Sequence, residues 1–220
     1  FFETKADYGK NMVTGFIKLN GRTIGAVANA TAIYDENGEK AEGFEAALTA
    51  RGCNKAAEFV NFCDAFDIPV LSLTNVEGFG ASECSEKNLP KAMARMTAAF
   101  AGATVPKVNI IIGNAYGSAY VMMNSKSIGA DLVYAWEGSK VGMMDAALAA
   151  KIMYEGQPAD VIAEKTKAYQ KLQSSVETAA RRGQVDLIIA PEDTRKYAAA
   201  AFEMLYTKGT GEPVKKHAAK

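Results

Sequence analysis

The sequence predicts an α/β domain in which helices cover a largely parallel sheet, and three observations carry that expectation. Short apolar runs recur at Val70–Thr74, Lys107–Ile112 and Asp131–Trp136. Each is followed by a glycine-bearing loop and then by a stretch with helical spacing, which is the strand–loop–helix order of layered α/β proteins. No Pro-, Gly- or Ser-rich linker and no low-complexity tract interrupts the chain, so one domain over residues 1–208 with a polar tail over 209–220 is the simplest division.

The elements follow in order. Thr14–Leu19 and Thr23–Ala28 are joined by Asn20-Gly21, a pair suited to a two-residue turn, and predict an antiparallel hairpin. Residues 34–46 are polar and predict an exposed loop. From Ala46 to Phe66 apolar side chains return at helical spacing (Ala57, Val60, Phe62, Cys63, Phe66), and Asp67-Ile68-Pro69 ends that helix. The strand Val70–Thr74 leads through the loop Val76–Gly80 to a helix from about Pro90 to Phe100. Lys107–Ile112 leads through Gly113–Tyr120 into a short helix passing Met122 and Met123. After the strand Asp131–Trp136, Gly138 and Gly142 precede a helix from Asp145 to Tyr154. Residues 160–181 predict one long amphipathic helix, Val185–Ile189 a strand, and Pro191-Glu192-Asp193-Thr194 a last helix with proline in its first turn.

Composition removes several function classes. Lys plus Arg equals Asp plus Glu at 25 each, so no global field gathers nucleic acid or anionic membrane. No apolar run approaches the roughly 18 residues a spanning helix needs. The cysteines Cys53, Cys63 and Cys84 are odd in number and fit no zinc or redox spacing, which points to reduced thiols and a cytoplasmic setting without a bound metal. The chain opens on Phe1-Phe2-Glu3 without a signal peptide, and is expected to be part of a longer polypeptide. The single histidine, His217, belongs to the expected solvated tail, so the chemistry must proceed without an imidazole base. Phosphate-loop and dinucleotide fingerprints are absent from the sequence. Glu83, Glu86 and Lys87, like Lys165-Thr166-Lys167, read as solvated faces. The pairs Met122-Met123 and Met143-Met144 read as core, with Met122 and Met144 alternatively lining an acyl pocket.

The stretch most suggestive of chemistry is Gly113-Asn114-Ala115-Tyr116-Gly117-Ser118-Ala119-Tyr120, between an apolar strand and a helix. Its small residues allow close approach to the backbone, and the first N–H groups of a helix lack internal partners, a combination suited to developing negative charge on an oxygen. Close packing of helix on sheet explains the same residues equally, and both readings stand at this point. A similar geometry can arise at Gly78-Phe79.

At these residues a family resemblance enters. Phe59–Val70, Val76-Glu77-Gly78-Phe79, Ala103–Val108, Asn114–Tyr120 and Gly129–Trp136 resemble the C-terminal half of biotin-dependent acyl-CoA carboxyltransferase subunits of the propionyl-CoA carboxylase and transcarboxylase type. Tyr8-Gly9-Lys10-Asn11, Leu19–Thr23 and Arg182–Ile189 extend the likeness to both flanks. The resemblance implies a crotonase-like fold of repeated ββα units and transfer of a carboxyl group between biotin and the carbon α to a short acyl-CoA thioester. It implies a biotin-side oxyanion hole from the amides of Ser118 and Ala119, with Gly117 setting the turn, and biotin contacts at Gly78, Phe79, Tyr116 and Ala119. It also implies an acyl pocket at Tyr120, Val121 and Met144. The implied cofactor is carboxybiotin on a carrier protein, with a coenzyme A thioester as substrate. The implied partners are an N-terminal carboxyltransferase half, the biotin carboxyl carrier protein and further copies in a dimer-based oligomer or hexamer. A cofactor that brings its own base suits a chain without a structured histidine.

Several residues depart from the family pattern. Ser118 stands for a usual glycine, Val121 for an acidic residue common in acetyl- and propionyl-CoA enzymes, and Glu77 for a proline. Lys87–Ala92 replaces a glycine-rich stretch bearing an Arg-His pair. These departures keep three alternatives open: the carboxyltransferase part of a sodium-pump-linked decarboxylase, a non-catalytic assembly domain, and an enoyl-CoA hydratase relative. The last requires paired carboxylates near the oxyanion loop, and residues 113–123 contain no Asp or Glu.

Overall fold

The computed structural model describes residues 1–208, apart from the Cys84 side chain; the expected tail over 209–220, with His217, lies outside the described residues. The chain opens with β1 (Phe2–Thr4), β2 (Met12–Leu19) and β3 (Arg22–Asn29), followed by β4 (Ala32–Tyr34), β5 (Lys40–Gly43), β6 (Ala47–Leu48) and α1 (Ala50–Ala65). Next come β7 (Val70–Val76), β8 (Gly78–Phe79), α2 (Glu83–Gly102), β9 (Lys107–Tyr116) and α3 (Gly117–Met122). The remainder is β10 (Leu132–Trp136), β11 (Lys140–Gly142), α4 (Ala146–Met153), α5 (Ala159–Tyr169), α6 (Val176–Arg181), β12 (Leu187–Ile189) and α7 (Thr194–Met204).

The main sheet has the order β1-β2-β3-β7-β9-β10-β12, with β11 added on β9. Its first three strands are antiparallel, and every pairing from β3 to β12 is parallel. The turn between β2 and β3 forms as expected, with Asn20 at φ +48° and Gly21 at φ +81°, the two positive values a type I′ turn demands. Successive side chains on the parallel strands enter opposite layers. Val70 and Ile111 join the core beneath α1 and α2, with Val60, Met96 and Phe100, whereas Leu71, Val108 and Ile110 join a second core beneath α7, with Ala198 and Phe202. Burial on both faces is why these strands read as continuous apolar runs.

Several boundaries differ from the sequence expectation, each for a local reason. Residues 34–46 are not simply a loop: β4 and β5 pair there, and Asp35 Oδ1 accepts from the amides of Asn37 and Glu39 to close the turn. The first helix begins at Ala50 rather than Ala46, because Ala47 and Leu48 pair with β8 and Thr49 caps the helix. α2 starts at Glu83, seven residues before the point expected, because the hydroxyl of Ser82 caps it by accepting from Ser85 N at 3.1 Å. Pro90 therefore sits inside α2, on its solvent face. β9 continues to Tyr116 because β11 pairs with its last residues. The expected single helix over 160–181 is α5, a π-turn at Gln170–Ser174, and α6, since Ser175 turns extended (ψ 147°) and caps α6. Of the methionines expected in the core, Met123 is fully buried, but Met143 and Met144 are exposed.

One buried charge stands out. Lys55 on α1 is fully enclosed, its Nζ has no hydrogen-bond partner among the described residues, and the nearest carboxylate, Glu3 on β1, is 4.0 Å away. Desolvation pulls its pKa below the ordinary lysine value. A folded state that holds this proton more weakly than the unfolded chain loses stability at neutral pH and recovers it as pH rises toward 10.5. Lys55→Met should therefore raise the stability measured by urea unfolding at pH 7 by about 1 kcal/mol or more, with the gap narrowing as pH is raised toward 10.

Candidate active site

The site is assembled where β7 and β9 end. β7 carries an irregularity between Thr74 and Val76 that turns Asn75 out of register. Asn29 on β3 holds it: its Oδ1 accepts from Asn75 N at 2.8 Å and its Nδ2 donates to Asn75 O. Asn75 Oδ1 in turn accepts from Asn114 N at 3.0 Å. A Cβ on Gly113 would lie 2.5 Å from that oxygen, which explains glycine at this position. Asn114 then donates through Nδ2 to Glu77 Oε1 at 2.5 Å, tying the loop after β7 to the end of β9. Glu77, the residue that departs from the family's proline, thereby links the two segments expected to form the site.

Gly117 makes the turn into α3 at φ +59°, with Met143 O only 3.1 Å from where a Cβ would be. Tyr116 precedes the helix and provides no side-chain cap. Ser118 and Ala119 are the second and third helical residues, whose N–H groups have no acceptor within their own helix, and neither donates to another element's backbone or a side chain among the described residues. Ser118 is exposed; Ala119 and Tyr120 are buried beneath it.

A cavity of about 310 Å³ opens beside this turn. It is lined by Gly117, Ser118, Tyr120 and Val121, by Val141, Gly142 and Met143, and by the polar Lys126, Ser127, Arg182 and Gln184. Lys126 is neutralised by Asp186, 2.6 Å away, and also donates to Asp131 O. Arg182, which also lines the cavity, donates to the neutral Gln173 Oε1 at 2.7 Å. Burial pushes the phenols of Tyr116 and Tyr120 up to about 12, so both are neutral near pH 7 and neither serves as a base there. Among the described residues no group of three or more His, Cys, Asp or Glu side chains is placed to hold a metal ion.

Of the expected site residues, the structure gathers Gly117, Ser118, Tyr120 and Val121 at one cavity, with Ala119 directly under it. Met144 does not line it; Met143, one residue earlier, does, because the chain leaving β11 turns residue 143 toward Gly117. Met122 packs against the core rather than the cavity. Gly78 and Phe79 form β8, paired in parallel with β6, rather than a second helix-capping turn; β8 lies beside α3, and Phe79 leans on the core. Tyr116 is buried with its hydroxyl unpartnered among the described residues. Asn75 was not singled out from sequence, and Arg182 and Gln184 entered only within the flanking likeness over Arg182–Ile189, without a site role. Asn75 carries no motif, and Arg182 and Gln184, which follow α6, are brought to the cavity from far along the chain.

Residues 1–219 match the family described as the carboxyl transferase domain. This chain belongs to that family. The carboxyl transferase domain is 38% identical over 224 residues to the methylmalonyl-CoA carboxyltransferase 12S subunit of Propionibacterium freudenreichii subsp. shermanii, covering 99% of this chain and 41% of that protein. It is 40% identical over 220 residues to the propionyl-CoA carboxylase beta chain of Roseobacter denitrificans, covering 99% of this chain and 41% of that one. A crystal structure of transcarboxylase 12S, described as a hexamer with methylmalonyl-coenzyme A and methylmalonic acid bound, superposes with a TM-score of 0.88 at 40% identity over 98% of this chain and 41% of that chain. The carboxyl transferase domain thus has the crotonase-like fold its motifs suggested, and it spans about two-fifths of the length of these relatives.

Proposed function

We propose that this chain forms one half of a biotin-dependent acyl-CoA carboxyltransferase and supplies the biotin side of a composite site. The observation that carries this reading is the Gly117 turn, which brings Ser118 to the cavity with the uncapped amides of residues 118 and 119 behind it. A backbone donor at Ser118 on the cavity wall, with a second at Ala119 behind it, suits the ureido oxygen of biotin, on which negative charge would grow if its carboxyl group were to leave. Carboxybiotin held there on a carrier protein would supply the carboxyl group and, with that group gone, a base for the α proton. The chain's own residues hold and orient: the amides of Ser118 and Ala119 donate hydrogen bonds to the oxygen that carries the developing charge, Gly117 fixes their direction, and the Asn114–Glu77 hydrogen bond keeps Gly78 and Phe79 beside them. The neutral phenols of Tyr116 and Tyr120 leave that charge unopposed.

The acyl group enters against Tyr120, Val121 and Met143, an apolar wall suited to propionyl- and methylmalonyl-CoA. The coenzyme A portion belongs to the N-terminal half, in the same chain or a separate subunit, within a homo-oligomer. The outer face of α4 supports such a partner: Met144, Leu148 and Ile152 are exposed at four-residue intervals next to Met143. The fully buried thiols of Cys53 and Cys63, pushed up to about 12 by burial, are consistent with a reducing cytoplasmic setting.

The test is to combine the chain with an N-terminal carboxyltransferase half and free biocytin, and to follow decarboxylation of malonyl- and methylmalonyl-CoA separately. Biocytin-dependent turnover is expected with both, faster by about tenfold for methylmalonyl-CoA because the cavity wall rewards the extra methyl group. Turnover that ignores biocytin would remove the proposal.

A further inference from the structure

We infer that Asn124 is a positioning residue for the reaction: a buried polar network fixes the far end of α3 and so aims the amides at its near end. The inference rests on the proposed site at Ser118 and Ala119. α3 has six residues, too few to hold a helical axis by its own hydrogen bonds. Its first turn has no side-chain cap and borders the cavity, so its direction is set from its other end.

That end is anchored in an unusual way. Asn124 follows the last turn in the left-handed region, at φ +57°, and is fully buried. Its Nδ2 donates to Ser72 Oγ at 3.0 Å, across to β7. Ser72 Oγ donates to Asn109 Oδ1 on β9 at 3.2 Å, and Thr74 Oγ1 donates to the same oxygen at 2.8 Å. Thr74 Oγ1 also lies 3.4 Å from Met123 O, at the end of α3 itself. Ser72, Thr74 and Asn109 are, like Asn124, fully buried. Four buried polar side chains therefore join β7, β9 and the C-terminal end of α3 within a mainly apolar layer.

Apolar packing of Met123 and Tyr120 sets the depth of α3, but it is tolerant of rotation; directional hydrogen bonds are not. The hydrogen bond from the Asn124 side-chain amide to Ser72 Oγ fixes the rotation of the helix about its axis, and that rotation decides where the Ser118 and Ala119 N–H groups point. An asparagine suits both requirements, since it tolerates the left-handed backbone better than most residues and carries the donor.

The experiment compares Asn124→Gly, Ser72→Ala and the double variant in the complete carboxyltransferase assembly, with Ser118→Pro as control. Glycine keeps the left-handed backbone and removes only the side chain, and Ser72→Ala breaks the same bond from the strand if Asn124→Gly fails to fold. Each single variant is expected to lower kcat by about tenfold while KM for the acyl-CoA stays within about twofold, and the double variant to be no slower than the slower single. A loss of melting temperature with kcat held within twofold in both singles overturns the inference, as do losses that multiply in the double variant. If Ser118→Pro abolishes transfer while the network variants do not slow it, only the role of Asn124 falls. If Ser118→Pro is itself without effect, the proposed site falls and this inference with it.

Discussion

Ser118→Pro is expected to lower kcat for carboxyl transfer by about 10²- to 10³-fold, the loss that follows removal of one oxyanion donor, about 2.7–4 kcal/mol of barrier. Residue 118 is the second of α3, and its N–H is not used by the helix, so a proline ring there removes a donor without breaking an intrahelical bond. Thermal unfolding should move little. Ser118→Ala separates amide from hydroxyl: it keeps the N–H, removes Oγ, and should retain activity within a few-fold. Steady-state kinetics of both variants in the reconstituted assembly decide the matter. Equal, large losses in both would assign the chemistry to the hydroxyl rather than the backbone.

Gly117→Val should be the most damaging substitution at the turn. A β-branched residue at φ +59° costs about 1–2 kcal/mol in backbone strain alone. The new Cβ would also press on Met143 O at 3.1 Å, a main-chain atom that cannot rotate away. The relief available is a rotation of the turn, which swings the Ser118 and Ala119 amides off their target. Activity is expected to fall about 100-fold, as for a displacement near 1 Å, together with a drop in melting temperature of about 2–8 °C. Gly78→Ala provides the contrast. Nothing lies within 4 Å of a Cβ there, and its φ is not positive, so the fold should absorb the change.

What was legible in the sequence was whatever depended on near neighbours. Asn20-Gly21 announced its hairpin because both residues adopt positive φ without help from elsewhere. Val70–Thr74 and Lys107–Ile112 announced the parallel sheet through short, mainly apolar runs, although the end of β9 depended on pairing with Lys140–Gly142, 26 residues further along the chain, and was missed. Pro90 misled because proline usually opens a helix; here the capping information sat at Ser82, and solvent exposure made an interior proline tolerable. The break at Ser175 was hidden inside a continuous amphipathic pattern, since a π-turn changes phase without changing composition. At the candidate site, Gly117 and Ser118 were visible as a motif, and Val121 as a departure from one. Asn75 and Asn124 were not: each is an ordinary-looking asparagine whose part is defined by a strand far away in sequence.

The face of α4 has a practical consequence. Side chains of Leu148, Ile152 and Met153 stand more than half exposed, with Met143 still more so. Prepared by itself, the polypeptide would meet water across this oily ridge and would tend to self-associate as it is warmed, because the drive to hide hydrocarbon strengthens with temperature. Co-expression with the proposed N-terminal half, rather than mixing after purification, is the expected route to soluble material.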